Sequence, residues 1–284
     1  VGTTVEDAMA IVDSLLNEAP FTATALRTAM EMMNHDPLLN IDEHAYVPLL
    51  SLIHGETEAE LEQEIEAELA KGYRTFKMKV GFDVGKDLDR VGKIQKVVAG
   101  RAQIRVDANQ GFSEDDACRF ASSMAPDDIE LLEQTCAAGD WRAAKNVAKV
   151  ANVPLMLDES IYGLDDVDRA AELGAASFIK FKLMKAGGVS KLLEALEYIR
   201  RRGMTPVLGN GVACDLGCWM EACIAARALD NACEMNGFLK TTACLLKEPI
   251  EMVGGEMVLP KAFHPHINQA VVDAHTRNHV QLSA

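Results

Sequence analysis

Short apolar runs that end in a charged residue recur along this chain at a nearly constant interval, and that recurrence limits the fold more than any other feature. IRVDAN carries Asp107, IELLEQ carries Glu133 and PLMLDES carries Asp158, so the three acids lie 26 and 25 residues apart. Such an interval holds one helix and a return strand, which is the spacing of βα repeats. Consecutive parallel strands point the same way, and residues at their C-terminal ends gather on one face although they are distant in sequence. Three converging carboxylates repel unless a cation sits among them. An oxygen-only set without His or Cys suits a hard divalent ion, Mg²⁺ first and Mn²⁺ as the alternative.

Lysines flank the acids on both sides. TFKMKVG puts Lys77 and Lys79 at the end of the preceding strand, with period two turning both to one face. FIKFKLMKAGG puts Lys180, Lys182 and Lys185 at the end of the following one. A lysine inside a strand is costly to bury unless paired, so two such strands on either side of three acid-ended strands mark a site.

The alternation extends over most of the chain. Residues 1–45 carry two helical patterns, VEDAMAIVDSLL and ATALRTAMEMMN, whose methionines are expected on the buried face of the second helix. From Tyr46 strand-like runs alternate with helical ones: VPLLSLI, YRTFKMKV, AQIRVD, DIELLE, VPLMLD, ASFIKFKL, TPVLG and NACEM, separated by seven clear helices. The chain of 284 residues has room for one eight-stranded barrel of about 200 to 250 residues and a small appendage. An open doubly wound sheet would gather ligands at one switch point, whereas here five successive strand ends carry charge. The expected fold is therefore an α/β protein with a parallel barrel of the TIM type, (β/α)7β. Residues 1–45 form a helical N-terminal segment, 46–260 the barrel and 261–284 a C-terminal tail. No Gly-x-Gly-x-x-Gly follows a strand and no Walker-type loop is present, which leaves nucleotide binding without support.

A formal net charge of −15 argues against nucleic acid and anionic membrane as partners. An anionic substrate would have to be held by local cations. No apolar run approaches the roughly 18 to 20 residues needed to cross a bilayer, and the acidic first residues lack the basic flank of a signal peptide; a cytoplasmic protein is expected. The seven cysteines include no Cys-x-x-Cys pair and read as reduced core thiols.

A divalent ion beside lysines on opposite walls is a device for removing a proton from carbon next to a carboxylate. The resulting enediolate carries two negative charges, which the ion and an ammonium group stabilise where they develop. The base must be a neutral amine near pH 7, and neighbouring positive charge together with desolvation lowers a lysine pKa in that direction. With Lys79 on one face of the substrate and Lys182 on the other, one abstracts a proton and the other returns it or assists a leaving group.

Taken together, Lys-x-Lys, Asp-x-Asn, Glu-Gln, Asp-Glu-Ser and Ile-Lys-x-Lys-Leu-Met-Lys-Ala-Gly-Gly, in that order between about Tyr73 and Gly211, resemble the enolase superfamily. The likeness is to its mandelate racemase/muconate lactonizing enzyme-like members, and specifically the muconate lactonizing enzyme subgroup. The resemblance implies Asp107, Glu133 and Asp158 as Mg²⁺ ligands, Lys79 and Lys182 as the acid/base pair, and Lys77 as the residue that tunes Lys79. Asn109 and Glu159 would orient the ligands. Lys182 is chosen by counting back from Lys185-Ala186-Gly187-Gly188, which ranks Lys180 and Lys185 below it for that role. The implied reaction is α-proton abstraction from a small carboxylate substrate, with isomerisation (cycloisomerase, racemase or epimerase) as the outcome, and a lyase outcome (dehydratase, or o-succinylbenzoate synthase-like) from the same site as the alternative.

The sequence departs from the subgroup in two places. Its members carry a three-stranded sheet ahead of the capping helices, and here only the helical part of the cap is seen, as a fragment or a reduced form. Dipeptide epimerases carry Asp-x-Asp at strand eight, where this chain has Glu234-Met235-Asn236. A barrel with an incomplete lid leaves apolar surface that a homo-oligomer would cover.

Plainer readings stand beside these. Acids after strands also serve as helix N-caps, and strand-end lysines also snorkel. A Schiff-base aldolase using a strand-six lysine would leave the three acids unexplained, and a barrel that only binds a ligand would need none of them. Cys214, Cys218 and Cys223 read as core packing, and Gly209-Asn210-Gly211 as a turn at the barrel mouth. His275-x-x-x-His279 lacks the Glu of a His-Glu-x-x-His site and reads, like His264-Pro265-His266, as solvated.

Overall fold

The computed structural model describes residues 4–278. Two helices lead, α1 (Val5–Ser14) and α2 (Pro20–Met33), followed by the short strand β1 (Ala45–Pro48). The repeating part then runs β2 (Ser51–Leu52), α3 (Glu58–Ala70), β3 (Thr75–Lys79), α4 (Val84–Val98), β4 (Gln103–Asp107), α5 (Glu114–Ser123), β5 (Ile129–Glu133) and α6 (Trp141–Val150). It continues through β6 (Leu155–Leu157), α7 (Leu164–Leu173), β7 (Phe178–Lys182), the single turn α8 (Leu183–Ala186), α9 (Val189–Arg201), β8 (Thr205–Gly209) and α10 (Asp215–Ala228). A hairpin, β9 (Met252–Val253) and β10 (Glu256–Leu259), and α11 (Gln269–His275) end the described chain.

Local chemistry accounts for these boundaries. Thr57 and Glu60 form a reciprocal capping box at the start of α3, while Asp83, Ser113 and Asp140 each accept a backbone N–H from the first turn of α4, α5 and α6. Along α4 the buried Val84, Val91, Ile94 and Val98 follow helical spacing and face the sheet.

Strands β2 to β8 form one parallel sheet in sequence order. Its edges are joined through residues 233 and 234. The Cys233 N–H donates to Pro48 O and the Leu50 N–H to Cys233 O on one side, while the Glu234 N–H donates to Leu208 O and the Asn210 N–H to Glu234 O on the other. The run NACEM thus acts as a bridge two residues wide, with isolated parallel bridges to Leu49 and Gly209, and not as a full eighth strand.

Alternation along each strand separates two environments. Phe76, Met78, Ile104, Val106 and Leu132 pack outward under α3 to α6, and Ile179, Phe181 and Leu208 pack under α7 to α10. Inside the curl, only Leu131, Met156 and Val207 form a small apolar cluster, with Phe178 against it. Lys77, Lys79, Arg105, Asp107, Glu133, Lys180 and Lys182 share this inner side.

Two expectations from sequence need correction. VPLLSLI does not form one strand. Ala45–Pro48 pairs antiparallel with β10, which pairs with β9, and the chain changes sheets at Leu49 before Ser51–Leu52 joins β3. Of the methionines of α2, Met32 is half-buried against the core and Met33 is exposed, while the buried face consists of Ala23, Thr24, Thr28 and Glu31. This helix docks on the start of α9, where backbone groups need polar partners. The Gly187 N–H donates to Thr24 Oγ1 at 3.0 Å and the Val189 N–H to Glu31 Oε2 at 2.9 Å. At Gly188, with φ +137°, a Cβ would lie 2.5 Å from Glu31 Oε1, so only glycine admits that carboxylate. Among the described residues no helix is long and apolar enough to cross a membrane.

Candidate active site

In-register pairing sets the charged strand ends side by side. Lys79 pairs with Asp107, Asp107 with Glu133, and Lys182 with Gly209, while Asp158 follows β6 directly. Inward residues of neighbouring strands therefore face one space, and their side chains meet there. Lys77 Nζ lies 2.7 Å from Asp107 Oδ2, 2.9 Å from Glu133 Oε2 and 2.8 Å from Glu234 Oε2. Lys180 Nζ lies 2.5 Å from Glu133 Oε1, touches Glu234 Oε2, and is 3.6 Å from Asp158 Oδ2. At the two ends of the acid row, Lys79 Nζ donates to Asp107 Oδ2 at 2.6 Å and Lys182 Nζ to Asp158 Oδ2 at 2.8 Å.

Burial divides the lysines. The side chains of Lys77 and Lys180 are 1% and 2% exposed, those of Lys79 and Lys182 are 44% and 16% exposed. Two ammonium groups are sealed in the wall, and two can be reached from outside.

Electrostatics follow the same geometry. Burial opposes charge on Lys77, yet Glu133, Glu234 and Asp107 outweigh it and hold the ammonium well above the ordinary lysine range. Lys180 is raised for the same reason by Glu133 and Glu234. Burial also opposes charge on Asp107 and Asp158, but adjacent ammonium groups, Lys77 and Lys180 for the first, Lys180 and Lys182 for the second, hold both below the usual carboxylate value. At Glu133 the balance reverses: burial, with Asp107 and Glu234 nearby, pushes its carboxyl up to about 7 despite Lys180 and Lys77.

The turns after the acids are strained and tied together. Asn109, Gln110 and Gln134 have φ of +40°, +67° and +36°, a left-handed region costly for non-glycine residues. The Asn109 N–H donates to Asp107 Oδ1 at 2.9 Å, its Oδ1 accepts from Lys79, and its Nδ2 donates to Glu159 Oε1 at 3.0 Å. The buried Gln134 accepts from the Asp158 and Ser160 N–H groups and donates to Cys136 O and Ser160 Oγ. Every polar capacity of its amide is used, and the Asp158 turn is fixed to the end of β5.

Of the residues singled out in the sequence, Lys77, Lys79, Asp107, Glu133, Asp158, Lys182, Asn109 and Glu159 come together in this one place. Lys180, set aside there, sits at its centre. Lys185 lies apart, donating to Ile161 O at 2.8 Å and standing 4.1 Å from the Tyr162 ring centre. Glu234 and Gln134 were given no role by sequence reasoning. Glu234 could have been found by extending the strand-end rule to the bridge NACEM, whereas Gln134 entered only as the second residue of the Glu-Gln pair. A cleft of about 700 Å³ lined by Leu16, Pro20, Tyr162, Asp166, Lys185 and Glu194 includes none of the acids of this cluster.

The other candidates stay apart. All seven cysteines are free, and burial raises the thiols of Cys218 and Cys223 to about 12, so neither supplies thiolate. His264 stands edge-on to His35 at 6.5 Å, His266 pairs with Glu248, and His275 contacts Val271 O; His279 lies outside the described residues.

Whether the acids suit a divalent ion can be tested on their oxygen atoms. Among the described residues no group of three His, Cys, Asp or Glu side chains is gathered at ligating distance, because the carboxylates are drawn onto ammonium groups. Yet Glu133 Oε2, Asp158 Oδ1 and Glu159 Oε2 are buried without a hydrogen bond. The first two lie within 2.9 Å of Lys77 and 2.7 Å of Lys182 but off the hydrogen-bond direction. Hard, unserved oxygen atoms on adjoining strands fit a hard cation in chemistry.

The family model described as enolase C-terminal domain-like matches residues 60–263. An L-Ala-D/L-Glu epimerase from Clostridium acetobutylicum is 33% identical over 159 residues, covering 55% of this chain and 42% of the epimerase. Muconate cycloisomerase 1 from Rhodococcus opacus is 27% identical over 224 residues, covering 77% of this chain and 60% of that protein. The chain thus spans less than two thirds of these relatives' own length. In structure, the muconate lactonizing enzyme from Pseudomonas putida superposes with a TM-score of 0.82 at 22% identity, over 96% of this chain and 80% of the other; that likeness concerns the fold.

Proposed function

This chain belongs to the enolase C-terminal domain-like family, and on that premise we propose that it is an isomerase that abstracts and returns the α-proton of a small carboxylate substrate. One observation carries the reading: of four lysines around the acid row, only Lys79 and Lys182 are reachable, and they stand at its opposite ends. A substrate carbon lying between them would meet an amine on each face, as proton removal from one side and delivery to the other requires. Lys77, sealed and held charged, places positive charge beside Lys79 through their shared contact with Asp107 Oδ2. Asp107, Glu133 and Asp158 would hold Mg²⁺ or Mn²⁺, with Asn109 and Glu159 orienting them. When bound, such an ion supplies positive charge where negative charge develops on the substrate carboxylate.

The fold is read in the same spirit as a TIM-type (β/α)7β barrel over residues 46–260, with residues 1–45 as part of a capping domain and 261–284 as a tail. Relatives named epimerase, racemase and cycloisomerase support isomerisation over elimination.

Incubation of the protein with a panel of N-acylamino acids, dipeptides and unsaturated dicarboxylates in D₂O tests the proposal. Deuterium is expected at Cα of a substrate with inversion or ring closure, and at least a 10³-fold loss in Lys79→Ala and Lys182→Ala with the fold intact. Net loss of water from a hydroxy acid would replace isomerase by lyase at the same site. Activity that survives EDTA, with borohydride trapping substrate on Lys182, would replace both by Schiff-base chemistry.

A further inference from the structure

We propose that Lys180 is an internal cation that competes with a divalent ion for Glu133, and that Gly209 and Glu234 are the two features of the fold that give it this place. The inference rests on reading Asp107, Glu133 and Asp158 as metal ligands, and it adds that this chain binds the ion only as the Lys180 ammonium leaves Glu133 for Glu234.

The placement of Lys180 is built into the wall of the sheet. Its Cα pairs with Val207, two residues short of the Lys182–Gly209 pair, so its side chain must run across Gly209 to reach the strand ends. A Cβ at Gly209 would lie 2.8 Å from Lys180 Cδ, 3.2 Å from Cγ and 3.3 Å from Cε. Any other residue would collide with the middle of the lysine stem. Gly209 in turn is bridged to Glu234, which brings the Glu234 carboxylate to where the stem ends. Lysine, glycine and glutamate thus form one continuous channel and terminus across neighbouring strands.

Charge makes this placement consequential. Lys77, Lys79, Lys180 and Lys182 face Asp107, Glu133, Asp158 and Glu234, four amines against four carboxyls before any ion enters. Without Lys180 the set would hold one positive charge fewer and would leave Glu133 Oε1 unserved. With it, an incoming divalent ion meets an ammonium 2.5 Å from one candidate ligand and 3.6 Å from another, at distances where like charges in a buried site repel strongly. Glu234 offers a retreat, because its Oε2 already contacts Lys180. The ammonium can therefore leave Glu133 without becoming an unpaired buried charge.

The test is direct binding of Mn²⁺, followed by the free-ion spin resonance signal, and of Mg²⁺ by calorimetry, on metal-free protein. Lys180→Met should bind Mn²⁺ at least tenfold more tightly than the parent chain. So should the charge-neutral double variant Lys180→Met with Glu234→Gln, which removes a buried pair together and carries the test if the single variant fails to fold. Gly209→Ala, which pushes the stem out of its channel while leaving every charge in place, should tighten binding by a smaller factor. Circular dichroism and the melting temperature check each fold. Equal or weaker binding in the Lys180 variants, with the parent chain binding, overturns the inference and leaves the ligand reading standing. Absence of binding in every folded variant overturns both.

Discussion

Two sets of buried charge share the inside of the sheet only two residues apart along β4, and they are built differently. At the lower level Arg105 is fully buried. Its Nε and Nη2 donate to the two oxygens of Glu130 at 2.7 and 3.0 Å, and Nη1 donates to Ala232 O at 2.8 Å. The pairing of Ile104 with Ile129 and Arg105 with Leu131 skips Glu130, and this irregularity swings the carboxylate inward to meet the guanidinium fork. One cation meets one anion in matched, two-pronged geometry. At the upper level four lysines share four carboxylates and leave oxygen atoms of Glu133 and Asp158 without hydrogen bonds. A set with all its bonds made in one arrangement is a structural tie. A set that leaves buried acceptor oxygens unserved still has bonds to make, and it is the one a ligand can rearrange.

The largest effect should come from breaking the tie. Arg105→Met leaves Glu130 turned inward without its cation, and removal of one partner from a buried pair costs about 3–5 kcal/mol. Urea denaturation should show that loss. A cost below about 1 kcal/mol would mean that Glu130 escapes to solvent and that the lower pair does not hold the sheet.

A third acid sharpens the comparison because it has no lysine in contact. Glu221 on α10 is buried and accepts one hydrogen bond from Asn210 Nδ2 at 2.9 Å. Burial pushes its carboxyl up to about 8, against weaker pulls from Asn210 and Lys182. The folded state therefore keeps a proton that the unfolded chain releases above its ordinary value of 4.5. Its contribution to stability is complete below that value and is lost as pH rises through about 8. Glu221→Gln keeps the acceptor for Asn210 and removes the titration. The variant should be the more stable by about 2–4 kcal/mol above pH 8 and show a flatter stability profile between pH 5 and 8. A parallel profile in the two proteins would show Glu221 to be ionised within the fold.

The difference between the two charged levels also explains what could be read from the sequence. Asp107, Glu133, Asp158 and the lysines of TFKMK and FIKFK were legible because a charge that interrupts an apolar run at a regular interval is expensive unless it is used. Arg105 and Glu130 look alike in sequence to the functional charges, and only the skipped residue in β5, a property of the pairing, makes them a tie. Lys180 was passed over because its role depends on a missing Cβ at Gly209 and on Glu234, each supplied by another strand. The small antiparallel sheet was invisible for a similar reason: VPLLSLI is apolar throughout, and what divides it is the Gly254-Gly255 hairpin some 200 residues later, whose Gly255 O accepts from the Leu49 N–H.

Within the upper set, Glu133 and Asp107 provide the finest test. Both touch Lys77, yet burial holds Glu133 near neutrality while the ammonium groups keep Asp107 ionised. The stability linked to Glu133 is complete below pH 4.5 and fades as pH rises through about 7, whereas that linked to Asp107 is present at neutral pH and is lost only on acidification below the ordinary aspartate value. At pH 7 Glu133→Gln should change stability by about 1 kcal/mol or less, since Lys77 and Lys180 keep Asp107 and Glu234 as partners. Asp107→Asn should cost about 1–3 kcal/mol, because Lys77 and Lys79 both rest on its Oδ2. Both should weaken Mn²⁺ binding. Equal stability losses would mean that the two carboxylates are held alike, and the contrast between a rigid lower tie and an exchangeable upper set would then rest on the lysines alone.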